Sequence, residues 1–172
     1  MLAIILIILG IASRLVPHLS QFTAILAVAF FAGLYLKGWK AIAIPLVIMV
    51  VSDVIIGFHD TMLYTWGSMI VISAIGLGLQ KQKSFAMVLG GSIASALVFF
   101  VITNFGAFLS LYPHTINGLR ECYILAIPFF RSTITSTVAY SLVLYAAFEW
   151  LSKSIRVRET SVSAKGGSAS GG

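Results

Sequence analysis

The stretch IPLVIMVVSDVIIGFHD, residues 44–60, holds one ionisable residue, Asp53, within an apolar run that turns polar only at its end. About 20 mostly apolar residues are enough to span the hydrocarbon core of a bilayer as a helix. The whole chain shares this character, because 59% of its 172 residues are hydrophobic and only 9% are charged. Soluble domains carry about 25% charged residues. Composition therefore predicts an all-α integral membrane protein, and it argues against a soluble enzyme.

Six apolar segments approach the length of a membrane span. We predict helices at approximately 1–16, 21–36, 41–57, 63–79, 85–103 and 126–152. The first segment lacks the basic residues that precede the apolar core of a signal peptide, so we expect it to be retained. The sequence thus predicts a six-transmembrane-helix bundle over residues 1–155. A flexible, Gly/Ser-rich cytoplasmic tail is expected over residues 156–172.

The basic residues predict the topology of this bundle. With six spans, eight of the 11 basic residues fall on one side of the membrane: Lys37, Lys40, Lys81, Lys83, Lys153, Arg156, Arg158 and Lys165. The opposite side carries the remaining three, Arg14, Arg120 and Arg131. Cytoplasmic loops carry an excess of Lys and Arg. Both termini are therefore predicted to be cytoplasmic.

Aromatic and small residues fit the same arrangement. Tyr64 and Trp66 are expected at the outer membrane interface, where amphipathic rings are enriched. Small residues spaced four apart let helices approach closely in lipid. Three such pairs predict packing inside the bundle: Ala74 with Gly78, Gly90 with Ala94, and Gly91 with Ser95.

Polar and ionisable residues gather on the predicted outer side. Arg14 and Asp53 lie at similar depth within apolar segments, where a charge costs about 2.5–3.5 kcal/mol on insertion scales and is usually paired or functional. We predict that they pair, either within a substrate site or as an ion pair that only ties two helices. The wider set of candidate substrate-binding residues is Arg14, Asp53, Asn104, Tyr112, Asn117, Arg120, Tyr123 and Arg131.

One segment, NFGAFLSLYPHTINGLRECYILAIPFF, residues 104–130, begins with the longest predicted departure from helix. Asn104, Gly106, Pro113 and Gly118 favour turns, so a long connection is predicted over 104–125. Long ordered loops of this kind are often functional. The connection is either a lid over an outer cavity or a structural cap.

Several chemistries find little support in the sequence. No phosphate-binding Gly-x-x-x-x-Gly-Lys-Ser/Thr loop occurs, so any energy from ATP must come from a partner. The single cysteine, Cys122, excludes an internal disulfide and has no specified neighbouring base. A metal site is a weak alternative because its candidates lack ligand spacing: His18, His59, His114 and Cys122. We expect no enzyme activity and no cofactor.

Four stretches carry a resemblance to a known family: RLVPHLSQFTAILAVAFFAG, IPLVIMVVSDVIIGFHD, TNFGAF and YPHTINGLRECYILAIPFF. The chain resembles the S component, the substrate-binding membrane subunit, of energy-coupling-factor (ECF) vitamin transporters, and more closely an uncharacterised bacterial group placed near it. The resemblance implies a substrate site near the outer face that is closed by loops. It also implies docking of the first helix on a transmembrane coupling subunit that works with ATPases.

The expected function is therefore a substrate-binding subunit in the bacterial inner membrane. It would take up a small, water-soluble, vitamin-like molecule from the outer face, with no nucleic acid partner. The alternative is an accessory or structural subunit of a larger membrane complex that keeps an S-component-like scaffold without transport.

Overall fold

The described part of the chain forms six helices. A computed structural model describes the backbone of residues 2–15, 23–58 and 60–167, and the side chains of residues 4–14, 23–58 and 60–152. In chain order the helices are α1 (Leu2–Leu15), α2 (Ile25–Tyr35), α3 (Lys40–Ile56), α4 (Met62–Gly78), α5 (Phe85–Leu111) and α6 (Ile116–Gly167). The described residues form no strand. The prediction of an all-helical chain is confirmed.

Two of these helices are long and apolar enough to cross a membrane. They are α5, with 27 residues, and the part of α6 from Ile116 to Ser152, with 37 residues. The other four helices have 11 to 17 residues. Length and composition therefore identify two candidate spans among the described residues.

The short helix α2 forms the centre of the bundle. All ten of its residues from Ile25 to Leu34 are buried, and the helix contacts each of the other five. A helix that is apolar around its whole circumference is buried on every side. Its two large rings, Phe30 and Phe31, are almost fully enclosed and pack edge to face with centroids 6.0 Å apart. The hydrophobic core is built around α2.

Two glycines allow α2 and α4 to approach each other closely. A Cβ atom added to Gly33 would lie 2.1 Å from the carbonyl oxygen of Ser73, and one added to Gly76 would lie 2.3 Å from the carbonyl oxygen of Phe30. Gln80, just after α4, donates from Nε2 to the carbonyl oxygens of Gly33 and Leu36 at 2.8 and 2.7 Å. These bonds satisfy carbonyls at the carboxyl end of α2 that have no partner within their helix.

The long connection predicted over 104–125 is wrong. Helix α5 continues to Leu111 and α6 begins at Ile116, so only residues 112–115 join them. Gly106 remains helical because Tyr64 packs against it, with a ring atom 2.3 Å from an added Cβ. The turn occurs at Pro113, and the Thr115 hydroxyl then accepts from the Gly118 amide at 3.2 Å to cap α6. The hairpin has no room for a lid-sized loop.

Helix α6 also differs from the sequence prediction at its far end. Its backbone is helical through Gly167, across most of the tail predicted to be flexible over 156–172. Residues 152–165 contain neither Pro nor Gly, so nothing in this stretch breaks the helix. The helix end predicted near residue 152 is therefore not observed, and the flexible tail over 156–172 stays a prediction.

Candidate functional site

Arg14 and Asp53 form an ion pair between the last turns of α1 and α3. Nη2 of Arg14 lies 2.5 Å from Oδ1 of Asp53, whose side chain is only 1% exposed. The other carboxylate oxygen, Oδ2, accepts a hydrogen bond from Nε1 of Trp66 at 2.8 Å. Nη1 of Arg14 contacts the sulfur of Met49. The prediction that Arg14 and Asp53 pair is confirmed, and α4 contributes a third partner.

A cavity of about 380 Å³ lies beside this ion pair. Its walls come from the carboxyl ends of α1 and α3, the amino ends of α2 and α4, the second half of α5 and the first half of α6. The described lining consists of Arg14, Thr23, Ile25, Leu26, Ile56, Thr61, Thr65, Phe99, Phe100, Thr103, Asn104, Ala126, Phe129, Phe130 and Thr133. All six helices therefore meet around one cavity at one end of the bundle.

The polar side chains on two walls bond to their own helices. Thr103 Oγ1 donates to the carbonyl oxygen of Phe99 at 2.7 Å, and Thr133 Oγ1 donates to that of Phe129 at 3.1 Å. Asn104 Nδ2 donates to the carbonyl oxygen of Phe100 at 2.7 Å. Such bonds to the carbonyl four residues earlier are how hydroxyls are accommodated in apolar helices. Because these bonds use donors of the side chains, their acceptor oxygens remain for a ligand.

Aromatic rings form the wall between α5 and α6. Phe100 and Phe130 contact each other with ring centroids 4.7 Å apart. Tyr123 packs edge to face on Phe100 at 5.6 Å and donates from its hydroxyl to the carbonyl oxygen of Val101 at 2.8 Å. Tyr123 thus supports the ring of Phe100 from behind without lining the cavity.

The predicted substrate-binding residues separate into two groups. Arg14 and Asn104 line the cavity, while Asp53 and Tyr123 each contact a residue that does. The others do not line it: Tyr112, Asn117, Arg120 and Arg131. Asn117, Arg120 and Arg131 are exposed.

The tip of the α5–α6 hairpin explains this separation. Leu111 is seven residues beyond Asn104, a rise of about 10 Å along a helix, so Tyr112 and Asn117 lie well beyond the cavity. Arg120 and Tyr123 instead line a separate, open groove of about 490 Å³ with Phe105, Ile116 and Leu119.

Two of the four candidate metal ligands, His114 and Cys122, lie in the described part of the chain. His18 and His59 lie outside the described residues. A ring nitrogen of His114 lies 3.0 Å from the carbonyl oxygen of Leu109, at the hairpin tip. Cys122 is buried and donates to the carbonyl oxygen of Asn104 at 3.4 Å. Within the described residues, no three His, Cys, Asp or Glu side chains are grouped to hold a metal ion.

Sequence reasoning missed most of the cavity lining. The sequence predicts Trp66 at the membrane interface but does not single it out as a partner of Asp53, to which its indole donates a hydrogen bond. The threonines and phenylalanines of α5 and α6 were not selected. A usable signal was present, because Phe99 with Thr103 and Phe129 with Thr133 repeat one aromatic–hydroxyl spacing of four on two adjacent helices.

Comparison with known proteins gives a family but no function. No curated protein and no solved structure matches the chain. The model of a family of unknown function, DUF6580, matches residues 1–160. Because this match spans nearly the whole chain, the protein belongs to the DUF6580 family.

Proposed function

We propose that this protein is a six-span subunit of the bacterial inner membrane that binds a small, water-soluble, vitamin-like molecule from the outer face for uptake. The observation that carries the proposal is the cavity of about 380 Å³ beside the Arg14–Asp53 pair. Sites for small molecules are concave and mostly apolar, with a few placed polar groups and volumes of about 300–1,000 Å³. The lining of this cavity combines eight apolar residues with seven polar ones, and its volume lies at the lower end of that range.

The distribution of charge supports the orientation. The cavity lies where α1 and α3 end and α2 and α4 begin. The connections at the opposite end carry Lys37, Lys40, Lys81 and Lys83, all of which are exposed. An excess of basic residues marks the cytoplasmic side. The cavity then faces outward, where a nutrient first meets the membrane.

Six spans require the short helices to cross the membrane together with α5 and α6. The 11 residues of α2 are too few for a lipid-exposed span, but α2 is enclosed by the other helices along its length. Non-helical backbone is tolerated at membrane depth where protein or a cavity surrounds it. Burial of α2 therefore supports its place as the central span.

Uptake also requires a source of energy. We propose that the scaffold is S-component-like and works with a transmembrane coupling subunit and its ATPases, as the sequence resemblance implies. The chain itself contributes binding and no chemical step.

Two observations favour the alternative of an accessory subunit without transport. Both carboxylate oxygens of Asp53 have partners, Arg14 and Trp66, so the Arg14–Asp53 ion pair can stabilise the bundle without any ligand. In addition, α3 exposes an apolar surface formed by Val47, Val50, Val51, Val54 and Ile55, which is available to lipid or to another chain.

Native mass spectrometry of the protein extracted from its own membranes tests the proposal. We expect a retained small molecule, and we expect Ala126→Trp to abolish its retention, because Ala126 lines the cavity. Ala139→Trp is the matched control, since Ala139 is an exposed residue of the same helix. The accessory role would instead be established if the parent protein and both variants co-purified with other subunits in stoichiometric amounts and retained no small molecule.

A further inference from the structure

We propose that the cavity selects uncharged molecules that carry N–H donors and an acceptor on a flat ring, the combination that an aromatic primary carboxamide provides. This inference rests on the proposed function, because it names the class of molecule that the same cavity binds. It follows from three properties of the lining, namely its charge, the direction of its hydrogen bonds and its aromatic walls.

The charge of the site is balanced before any ligand arrives. Arg14 is the one ionisable residue in the described lining of the cavity, and Asp53 neutralises it at 2.5 Å. An anionic ligand would have to compete with a carboxylate that is already buried and bonded to Trp66. A cationic ligand would lie beside the guanidinium group. Since charges transferred from water to an apolar site need a partner, the cavity favours a neutral molecule.

The hydrogen-bonding groups of the walls are mostly acceptors. A threonine hydroxyl has one donor and two acceptor lone pairs. The hydroxyls of Thr65, Thr103 and Thr133 each donate a hydrogen bond to the carbonyl oxygen four residues earlier, at 3.1, 2.7 and 3.1 Å. Asn104 likewise uses its amide nitrogen on Phe100, which leaves its carbonyl oxygen as an acceptor. A ligand that fits these walls therefore brings donors.

Arg14 supplies the complementary group. A guanidinium carries five N–H donors, and the described contacts of Arg14 involve Nη1 with Met49 and Nη2 with Asp53. Each of these two nitrogens carries a second N–H, and Nε, which is buried, has no acceptor among the described residues. A ligand with one acceptor beside its donors matches this arrangement, and a primary carboxamide has both.

The ring requirement follows from the four phenylalanines of the lining. Phe99 and Phe100 lie on α5, and Phe129 and Phe130 lie on α6. Aromatic rings favour offset-stacked or edge-to-face contacts with other rings. Two aromatic pairs on adjacent helices thus suit a flat ring better than a flexible chain.

Matched ligand sets test the class directly. The parent protein in lipid nanodiscs is titrated with nicotinamide, N,N-dimethylnicotinamide and nicotinate, and with the corresponding sets built on benzene, indole and purine rings. Within at least one set we expect the primary carboxamide to bind about tenfold more tightly than both other members, because each lacks the donors or adds a charge. The inference is overturned if carboxylates or donor-free amides bind as well as the primary carboxamides in every set, or if no primary carboxamide binds.

A pair of variants on α6 locates the effect in the cavity. Thr133→Val removes an acceptor from the lining, whereas Thr135→Val removes an exposed hydroxyl that bonds its own helix in the same way. We expect Thr133→Val to weaken carboxamide binding about tenfold, Thr133→Ser to restore it, and Thr135→Val to leave it unchanged. Equal effects of the two valine variants would contradict the assignment.

The two proposals fail in different ways. If the molecule retained in native mass spectrometry is acidic, or has no N–H or O–H donor, the cavity still binds a ligand and only the inferred class is wrong. If no molecule is retained and Ala126→Trp changes nothing, the proposed function itself fails.

Discussion

Nη2 of Arg14 lies 2.5 Å from Oδ1 of Asp53, and this ion pair joins α1 to α3. Within the described residues, α1 packs against no helices other than α2 and α3, so few described contacts besides the ion pair hold its last turn in place. The pair also sets the charge of the cavity, because Arg14 lines it and Asp53 does not. One interaction thus links the packing of α1 to the chemistry of the site.

Breaking this pair from one side should destabilise the bundle strongly. Asp53→Asn leaves Arg14 charged and unpaired, and Arg14→Gln leaves the buried Asp53 without its cation. We expect each change to lower the free energy of unfolding by about 3–5 kcal/mol, as for other buried pairs that lose one partner. Unfolding in mixed micelles titrated with a denaturing detergent measures this loss.

The double variant provides the control for that experiment. Arg14→Gln combined with Asp53→Asn removes both charges, so its loss should be clearly smaller than the sum of the two single losses. Strict additivity would mean that the two side chains do not interact.

Trp66 should matter for stability through its indole nitrogen. Trp66→Phe keeps an aromatic ring but removes the donor to Asp53 Oδ2, which leaves a buried acceptor without one partner. We expect a loss of about 1–3 kcal/mol in the free energy of unfolding. Trp39→Phe is the matched control, because Trp39 is 75% exposed and should change little. A larger effect at Trp39 than at Trp66 would refute this account.

The sequence predicted the helices better than their connections. Long apolar segments identify the helices. The Arg14–Asp53 pair was predicted from the free-energy cost of placing a charge in an apolar segment. The α5–α6 hairpin was misjudged because Asn104 and Gly106 normally favour turns. In this chain the Asn104 amide donates a hydrogen bond to the carbonyl oxygen of Phe100, and the ring of Tyr64 packs against Gly106. A hydrogen bond within α5 at Asn104 and a tertiary contact at Gly106 therefore accompany helix at two positions where local preference favours a turn.

The cavity itself was beyond what the sequence could specify. Its lining draws on all six helices, and the rotation of each helix about its own axis depends on packing that one sequence does not display. Selecting polar residues by chemical type identified Arg14 and Asn104. The same criterion also selected Arg120 and Arg131, which are exposed and face away from the cavity.

The glycine contact between α2 and α4 should tolerate no added methyl group. Gly33→Ala and Gly76→Ala each place a Cβ within 2.3 Å of backbone atoms, which cannot move without separating the helices. We expect each substitution to lower the free energy of unfolding by about 1–3 kcal/mol, the usual cost of overpacking. The same detergent titration measures this effect.

Gly78→Ala and Gly90→Ala are the matched controls. A Cβ at either position meets nothing within 4 Å, although both glycines belong to small-residue pairs that the sequence nominated for packing. These variants should be neutral or slightly stabilising, because alanine favours helix over glycine. If Gly78→Ala destabilised the protein as much as Gly76→Ala, the loss could not be assigned to the close contact between α2 and α4.

Labelling of single cysteines tests the six-span topology. In a Cys122→Ser background, His114→Cys places a thiol at the α5–α6 tip and Gln82→Cys places one between α4 and α5, both at exposed positions. Because basic residues mark the cytoplasmic side, a membrane-impermeant maleimide should label His114→Cys in intact cells and Gln82→Cys only after permeabilisation. Labelling of both from outside would leave the two positions on one side of the membrane. In that case α5 would not span, the cavity would lose its outward orientation, and uptake from the outer face would have no structural basis.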